Sequence, residues 1–265
     1  MTKTRRIMTL AIVSSLLALQ PLHAEDLAET SEESSPNTKV LWHDARMLAS
    51  IHLSAAPDLD PKLPHTLIIA LHGYGSSAGR FQSIADELAK GGFLVAVPEA
   101  PYPIQTEIGI GFDWILGHQR NAALSQRAAN LLILDHLSEA LAELRRNYAI
   151  DRVYILGFSQ GATVALLAGI YNRGVYDGVI SFGLSRFDSA WFDESVLALG
   201  GSTRILLAHG TEDDRTPIAV SELARDKLSA AGYQVTFRSF PAGHTIPIDQ
   251  IAFVREWVGT VAVEK

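Results

Sequence analysis

Short apolar runs alternate with longer amphipathic segments from residue 39 to the end of the chain. Residues 66–71 form one such run, and an uninterrupted apolar run of this length predicts a strand that is buried on both faces. Residues 121–148 instead place leucines on one broad face at helical spacing, which predicts a long helix. The same pattern predicts further strands at 93–97, 152–156, 178–182, 204–208 and 234–240, further helices at 80–90, 160–171, 218–231 and 248–261, and an antiparallel pair of edge strands within 40–53. Strands that alternate with helices predict an α/β fold, in which helices cover both faces of a mostly parallel central sheet.

The chain length fits one large domain. Of the 265 residues, 48% are hydrophobic, which is typical of a globular chain with a sizeable core. We place this domain at residues 39–265, and no internal repeat divides it. The long irregular stretches are 98–121 and 184–201, and they leave little room for a lid, so no large lid domain is expected.

The first 24 residues have the pattern of a secretory signal peptide. Lys3, Arg5 and Arg6 give a basic start, residues 7–19 are largely apolar, and Ala24 is a small residue at a suitable cleavage site. The apolar run is short for a bilayer span, so we expect removal of residues 1–24 rather than a stable membrane anchor. Residues 25–38 are rich in Glu, Ser and Ala, and predict a flexible acidic linker. The protein is therefore expected to be exported, to the periplasm or out of the cell.

The net charge and the lack of cysteine argue against several classes of partner and site. The formal net charge of −7 gives no reason to expect nucleic acid as a partner. The chain has no cysteine, which excludes disulfides, thiolate metal sites and a cysteine nucleophile.

The sequence Gly-Phe-Ser-Gln-Gly at 157–161 contains the candidate nucleophile. A predicted strand leads into it and a predicted helix leads out, which is the context of a serine on a sharp strand-to-helix turn. Such a turn lifts the Ser159 hydroxyl above the edge of the sheet. It also puts the Gln160 N–H at a helix N-terminus, where developing negative charge is stabilised.

A serine hydroxyl needs a neighbouring base, and His244 is the preferred candidate among nine histidines. It lies between the last predicted strand and the last predicted helix, at the sheet edge where such folds assemble their sites. The chain order of serine, acid and histidine also fits this choice. His72 and His209 each precede a glycine directly after a strand and are expected to shape turns, whereas His118, in a loop, remains an alternative base.

The base must be held by a carboxylate, and the loop at 208–217 offers Glu212, Asp213 and Asp214. We choose Asp213, although the spacing alone does not separate the three. A second oxyanion donor is expected after the first core strand, where the sequence at 71–75 is Leu-His-Gly-Tyr-Gly. The Tyr74 N–H is the candidate.

Taken in order, these motifs resemble the phospholipase/carboxylesterase family of α/β-hydrolases, which includes the acyl-protein thioesterases. The resemblance covers about 66–261 and rests on the motifs at 71–75, 98–101, 112–114, 157–161, 209–213 and 243–244. It implies the α/β-hydrolase fold, with Ser159, Asp213 and His244 as the triad and the N–H groups of Tyr74 and Gln160 as the oxyanion hole. The family spacing of four residues after the His-Gly histidine is what selects Asp213. No metal or organic cofactor is implied.

The expected activity is that of a serine carboxylesterase, which hydrolyses small-molecule esters of short or medium acyl chain through an acyl-enzyme. Aromatic residues of the irregular stretches, among them Phe112, Trp114 and Trp191, are expected to line the acyl pocket, although plain packing against the body is an equal alternative. A lysophospholipase or thioesterase, or a peptidase or polyester depolymerase of the same fold, would use the same triad. A non-catalytic binding protein is the alternative from another class.

Overall fold

The computed structural model describes residues 48–115 and 126–260. The predicted signal peptide, the predicted linker and His118 lie outside these residues. The strands are β1 (Ile51–Ser54), β2 (His65–Leu71), β3 (Leu94–Pro98), β4 (Tyr102–Thr106), β5 (Gly109–Asp113), β6 (Ile150–Phe158), β7 (Gly178–Phe182), β8 (Arg204–Gly210) and β9 (Gln234–Phe240). The helices are α1 (Ala78–Ala89), α2 (Gln126–Asn147), α3 (Gln160–Tyr171), α4 (Glu194–Leu197), α5 (Ile218–Ala230) and α6 (Ile248–Gly259).

A seven-stranded sheet with the order β1-β3-β2-β6-β7-β8-β9 forms the centre of the molecule. β1 pairs antiparallel with β3, and every other pair in this sheet is parallel. Parallel neighbours require crossover connections, and the helices between successive strands supply them. The carboxyl ends of β2, β6, β7, β8 and β9 therefore meet along one edge, where the loops that follow them lie together.

Alternation along β2 shows why both faces of the sheet are covered. Leu67, Ile69 and Leu71 belong to a core cluster that includes residues of α2, α3 and α5, whereas Ile68 and Ala70 belong to a second cluster with residues of α1 and α6. All five side chains are completely buried. Because successive side chains of a strand point to opposite faces, a strand between two helical layers must be apolar throughout. The structure confirms the predicted α/β-hydrolase architecture.

A β-hairpin occupies part of the stretch that the sequence predicts as irregular. β4 and β5 pair antiparallel as a separate two-stranded sheet. Phe112 of this hairpin also forms an isolated bridge with Ser76, in the loop that follows β2. Apart from this hairpin and the short α4, the described segments that connect the core strands and helices form no element that could serve as a lid domain. In the same residues no helix combines the length and apolar character that crossing a membrane requires.

Candidate active site

Ser159 stands on a tight turn between β6 and α3. Its backbone angles are φ 56° and ψ −116°, and it is the only non-glycine residue with positive φ among those described. Such a sparsely populated conformation costs about 1–3 kcal/mol and persists only where its surroundings enforce it. Flanking glycines permit the turn: a Cβ on Gly157 would lie 2.0 Å from the Gly161 carbonyl oxygen, and one on Gly161 would lie 2.5 Å from the carbonyl oxygens of Leu71 and His72. The sequence motif is therefore a steric requirement of this turn.

His244 lies beside this turn and is held by Asp213. Its Nδ1 is 2.7 Å from Asp213 Oδ2, and the Thr216 hydroxyl donates to the same oxygen over 2.9 Å. The His244 ring also stacks obliquely on Phe158, the residue before Ser159, at a centroid distance of 4.7 Å. Since Nδ1 faces a carboxylate, it carries the ring proton, and Nε2 is left with a lone pair to act as a base.

Hydrogen bonds keep the Asp213 carboxyl group ionised. Burial of this side chain, which is 1% exposed, would on its own raise the pKa. Four donors outweigh it: the Thr216 amide, the His244 ring, the Thr216 hydroxyl and the Arg215 amide. Together they lower the pKa of Asp213 from 3.8 to about 2. A negative charge is thus available to stabilise an imidazolium on His244.

His209 supports the loop that carries Asp213. Its side chain is completely buried at the end of β8. Nε2 donates to the Thr216 carbonyl oxygen over 2.8 Å and lies 3.4 Å from Asp213 Oδ2, while Nδ1 accepts from the Ser221 hydroxyl over 2.7 Å. The sequence assigned His209 to shaping a turn; the structure shows that it also ties the acid loop to α5.

The loop that contains Tyr74 passes directly beside the nucleophile. A Cβ built on Gly73 would lie 3.5 Å from the Ser159 Cβ. β5 fixes this loop, since the Gly75 N–H donates to the Phe112 carbonyl over 2.9 Å and the Phe112 N–H donates to the Ser76 carbonyl over 2.8 Å. The hairpin that the sequence did not predict therefore determines the conformation of the candidate oxyanion loop.

Gln160 begins α3, so its backbone N–H has no acceptor within the helix. Its buried side chain is locked in place: Nε2 donates to Asp113 Oδ1 over 2.6 Å, and Oε1 accepts from the Trp114 N–H over 3.3 Å. Asp113 Oδ1 also accepts from the Ile115 N–H over 2.9 Å. These contacts join the helix start to β5. Both candidate oxyanion donors thus depend on the same hairpin.

An open cavity of about 490 Å³ lies over these groups. Ser159 and His244 both line it. The remaining wall is formed by Gly73, Tyr74, Ser76, Phe81, Ile84, Phe158, Arg215, Thr216, Thr245 and Ile246. No group of three or more His, Asp or Glu side chains among the described residues is arranged to hold a metal ion.

The structure corrects the predicted pocket residues. Trp114 is completely buried and Trp191 is 2% exposed, and both pack in the main core cluster. Phe112 is partly buried against the same cluster. None of the three lines the cavity, because Trp114 and Trp191 pack into the core and Phe112 lies on β5 against the same cluster. The aliphatic and aromatic side chains that do line it include Phe81 and Ile84 of α1, a segment that the sequence predicted as a helix without assigning it to the pocket.

A strained serine on the strand-to-helix turn, beside a histidine bound to an ionised aspartate, defines a serine hydrolase of the α/β-hydrolase fold. A profile of the Phospholipase/Carboxylesterase family matches residues 60–262. The chain belongs to this family.

Individual relatives agree with this placement. Acyl-protein thioesterase 1 of Neurospora crassa is 28% identical over 119 residues, which are 44% of this chain and 49% of that protein, so the match spans about half its length. Acyl-protein thioesterase 1 of Emericella nidulans is 29% identical over 212 residues, 71% of this chain and 87% of that protein. The crystal structure of esterase PE8 superposes with a TM-score of 0.66 at 23% identity, over 81% of this chain and all of that chain, and so shows the shared fold.

Proposed function

We propose that the protein is a serine carboxylesterase that hydrolyses small-molecule esters of short or medium acyl chain. The observation that carries this proposal is the convergence, on one open cavity, of the strained Ser159 and the Asp213-bound His244. The limited volume of this cavity, about 490 Å³, favours esters of short or medium acyl chain over bulky lipids.

In the proposed reaction, Ser159 Oγ attacks the ester carbonyl carbon while His244 Nε2 takes its proton. Asp213 stabilises the imidazolium that forms. The oxyanion accepts hydrogen bonds from the N–H groups of Tyr74 and Gln160, and the alcohol leaves with the proton from His244. His244 then activates a water molecule, which attacks the acyl-enzyme carbonyl and releases the carboxylic acid and free Ser159.

Active-site labelling tests this proposal. A fluorophosphonate should label the protein covalently, and Ser159→Ala should abolish both the labelling and ester hydrolysis. Removal of the nucleophile costs about a million-fold in turnover in other triads. A graded series of p-nitrophenyl esters, assayed on residues 25–265, should show the highest kcat/KM at short or medium acyl length. Labelling that persists in Ser159→Ala would contradict the assignment of the nucleophile.

Thioester hydrolysis is a second candidate, because the fungal relatives are named acyl-protein thioesterases. The same triad attacks a thioester carbonyl. A matched oxygen ester and thioester with one acyl group, compared by kcat/KM, decides between the two.

We also propose that the protein is exported, on the pattern of residues 1–24. Expression of the full chain in a bacterium, followed by fractionation and N-terminal sequencing, should yield a periplasmic or secreted protein that begins at Glu25. Recovery of the intact chain from the cytosol would contradict this.

A further inference from the structure

Among the described residues, Arg215 is the one permanently charged side chain on the wall of the catalytic cavity. The other titratable side chains known to line it are those of Tyr74 and His244, and no carboxylate from the described part of the chain lines it. The rest of the wall consists of small, hydroxyl-bearing and apolar residues. A guanidinium is always ionised and binds carboxylates well, so an arginine at this place on the wall suits an anionic ligand.

The backbone of Arg215 is fixed relative to the catalytic groups. Its N–H donates to Asp213 Oδ1 over 3.0 Å, and the next residue, Thr216, donates to the same oxygen over 2.9 Å. The Thr216 hydroxyl lies 3.3 Å from His244 Nδ1. The side chain therefore starts from a backbone position that is fixed beside the triad, and it lines the same cavity as Ser159.

The guanidinium group of Arg215 forms no hydrogen bond or ion pair with any other residue in the part of the chain that the structure describes. Its acidic loop neighbours, Glu212 and Asp214, are both exposed and do not pair with it. The cation is thus available to a ligand. Its planar fork of N–H donors matches the two oxygens of a carboxylate.

We propose that Arg215 binds a carboxylate of the substrate, so that the preferred esters carry a second, ionised carboxylate close to the ester bond. This rests on the proposed esterase function and adds the substrate class.

The test compares charged esters with neutral isosteres in which an isopropyl group replaces the carboxylate. For the acid half of the ester the pair is monomethyl succinate and methyl 4-methylpentanoate. For the alcohol half the pair is O-acetylglycolate and isobutyl acetate. Hydrolysis is followed by pH-stat titration. For each pair, kcat/KM of the charged ester is divided by kcat/KM of the neutral ester. This ratio in the wild type is then divided by the same ratio in Arg215→Gln. Intrinsic ester reactivity cancels in the resulting double ratio.

We expect this double ratio to be about tenfold for at least one pair at low ionic strength, and to fall as salt screens the exposed cation. Arg215→Glu should depress the charged ester further. Arg145→Gln, which removes an equal charge from an exposed position on α2, should leave the ratio unchanged. If neutral esters are still hydrolysed and the double ratio is one for both pairs, the proposal is overturned. If wild type and Ser159→Ala were equally inert toward every ester, the proposed function itself would fail.

Discussion

The Nδ1 atom of His244 and the Oδ2 atom of Asp213 are 2.7 Å apart, although the residues lie 31 positions apart in the chain. The contact bridges the loops after β8 and β9. It sets the imidazole tautomer, since a carboxylate accepts a hydrogen bond but cannot donate one when ionised. The lone pair on Nε2 is therefore set by a residue on the far side of the ring from the serine.

Asp213→Asn should leave the fold intact and lower kcat/KM for p-nitrophenyl butyrate by about ten-thousand-fold, as tautomer reversal does in another serine triad. An asparagine amide donates to Nδ1 and moves the ring proton to Nε2, which then cannot accept the serine proton. Steady-state kinetics and a circular dichroism spectrum check both parts. Asp214→Asn is the matched control, because Asp214 is exposed, and it should retain activity. Equal loss in the two variants would contradict the assignment of the acid.

The lowered pKa of Asp213 predicts how stability depends on pH. Since the folded-state pKa is about 2 and the ordinary value is 3.8, the carboxylate contributes stability above pH about 4, and that contribution is lost as the pH falls toward 2. Urea unfolding between pH 2 and pH 6 should therefore show a gap between wild type and Asp213→Asn that narrows on acidification. A gap that stays constant, or widens, at low pH would contradict the pKa shift.

The order of strands and helices was predictable because the parallel strands are buried on both faces. Residues 178–182 and 234–240 were predicted as strands with the bounds that the structure has. β4 and β5 were missed because most of their residues are exposed or only partly buried and their runs contain proline and glycine, which indicate loops. Burial does alternate along β4, but Pro103 and Thr106 hide this period in the sequence.

A site residue could be predicted from the sequence where the local backbone geometry requires its motif. Ser159 could be identified because only glycines fit beside it. Asp213 could not be separated from Asp214 by spacing, because the two side chains differ in where they point. The Asp213 side chain is 1% exposed and hydrogen-bonded to His244, whereas Asp214 is exposed. The cavity wall was misassigned because aromatic residues in irregular segments, such as Trp114 and Trp191, are as well suited to a core as to a pocket.

Asp113→Ala should destabilise the protein by about 1–3 kcal/mol, because it leaves the buried Gln160 amide and the Ile115 N–H without their acceptor. The start of α3 should also lose its fixed position, so kcat should fall together with stability. Urea unfolding and esterase kinetics measure the two effects. Asp58→Ala, at an exposed turn, is the control. If both variants were equally stable, the link between Asp113 and Gln160 would have no energetic role.

Truncation of Ile84 should change the acyl-chain preference, because this side chain lines the cavity. Truncation of Trp191 should instead lower the stability, because this side chain fills the core. Ile84→Ala removes apolar surface that a longer acyl chain would contact, at about 0.8 kcal/mol per methylene group, and should lower the hexanoate-to-acetate ratio of kcat/KM several-fold. Trp191→Phe should lower the free energy of unfolding through a packing defect and leave that ratio unchanged. A p-nitrophenyl ester series and urea titrations of both variants give the comparison. If Trp191→Phe changed the chain-length preference and Ile84→Ala did not, the results would show that Trp191 contacts the acyl chain and that α1 does not.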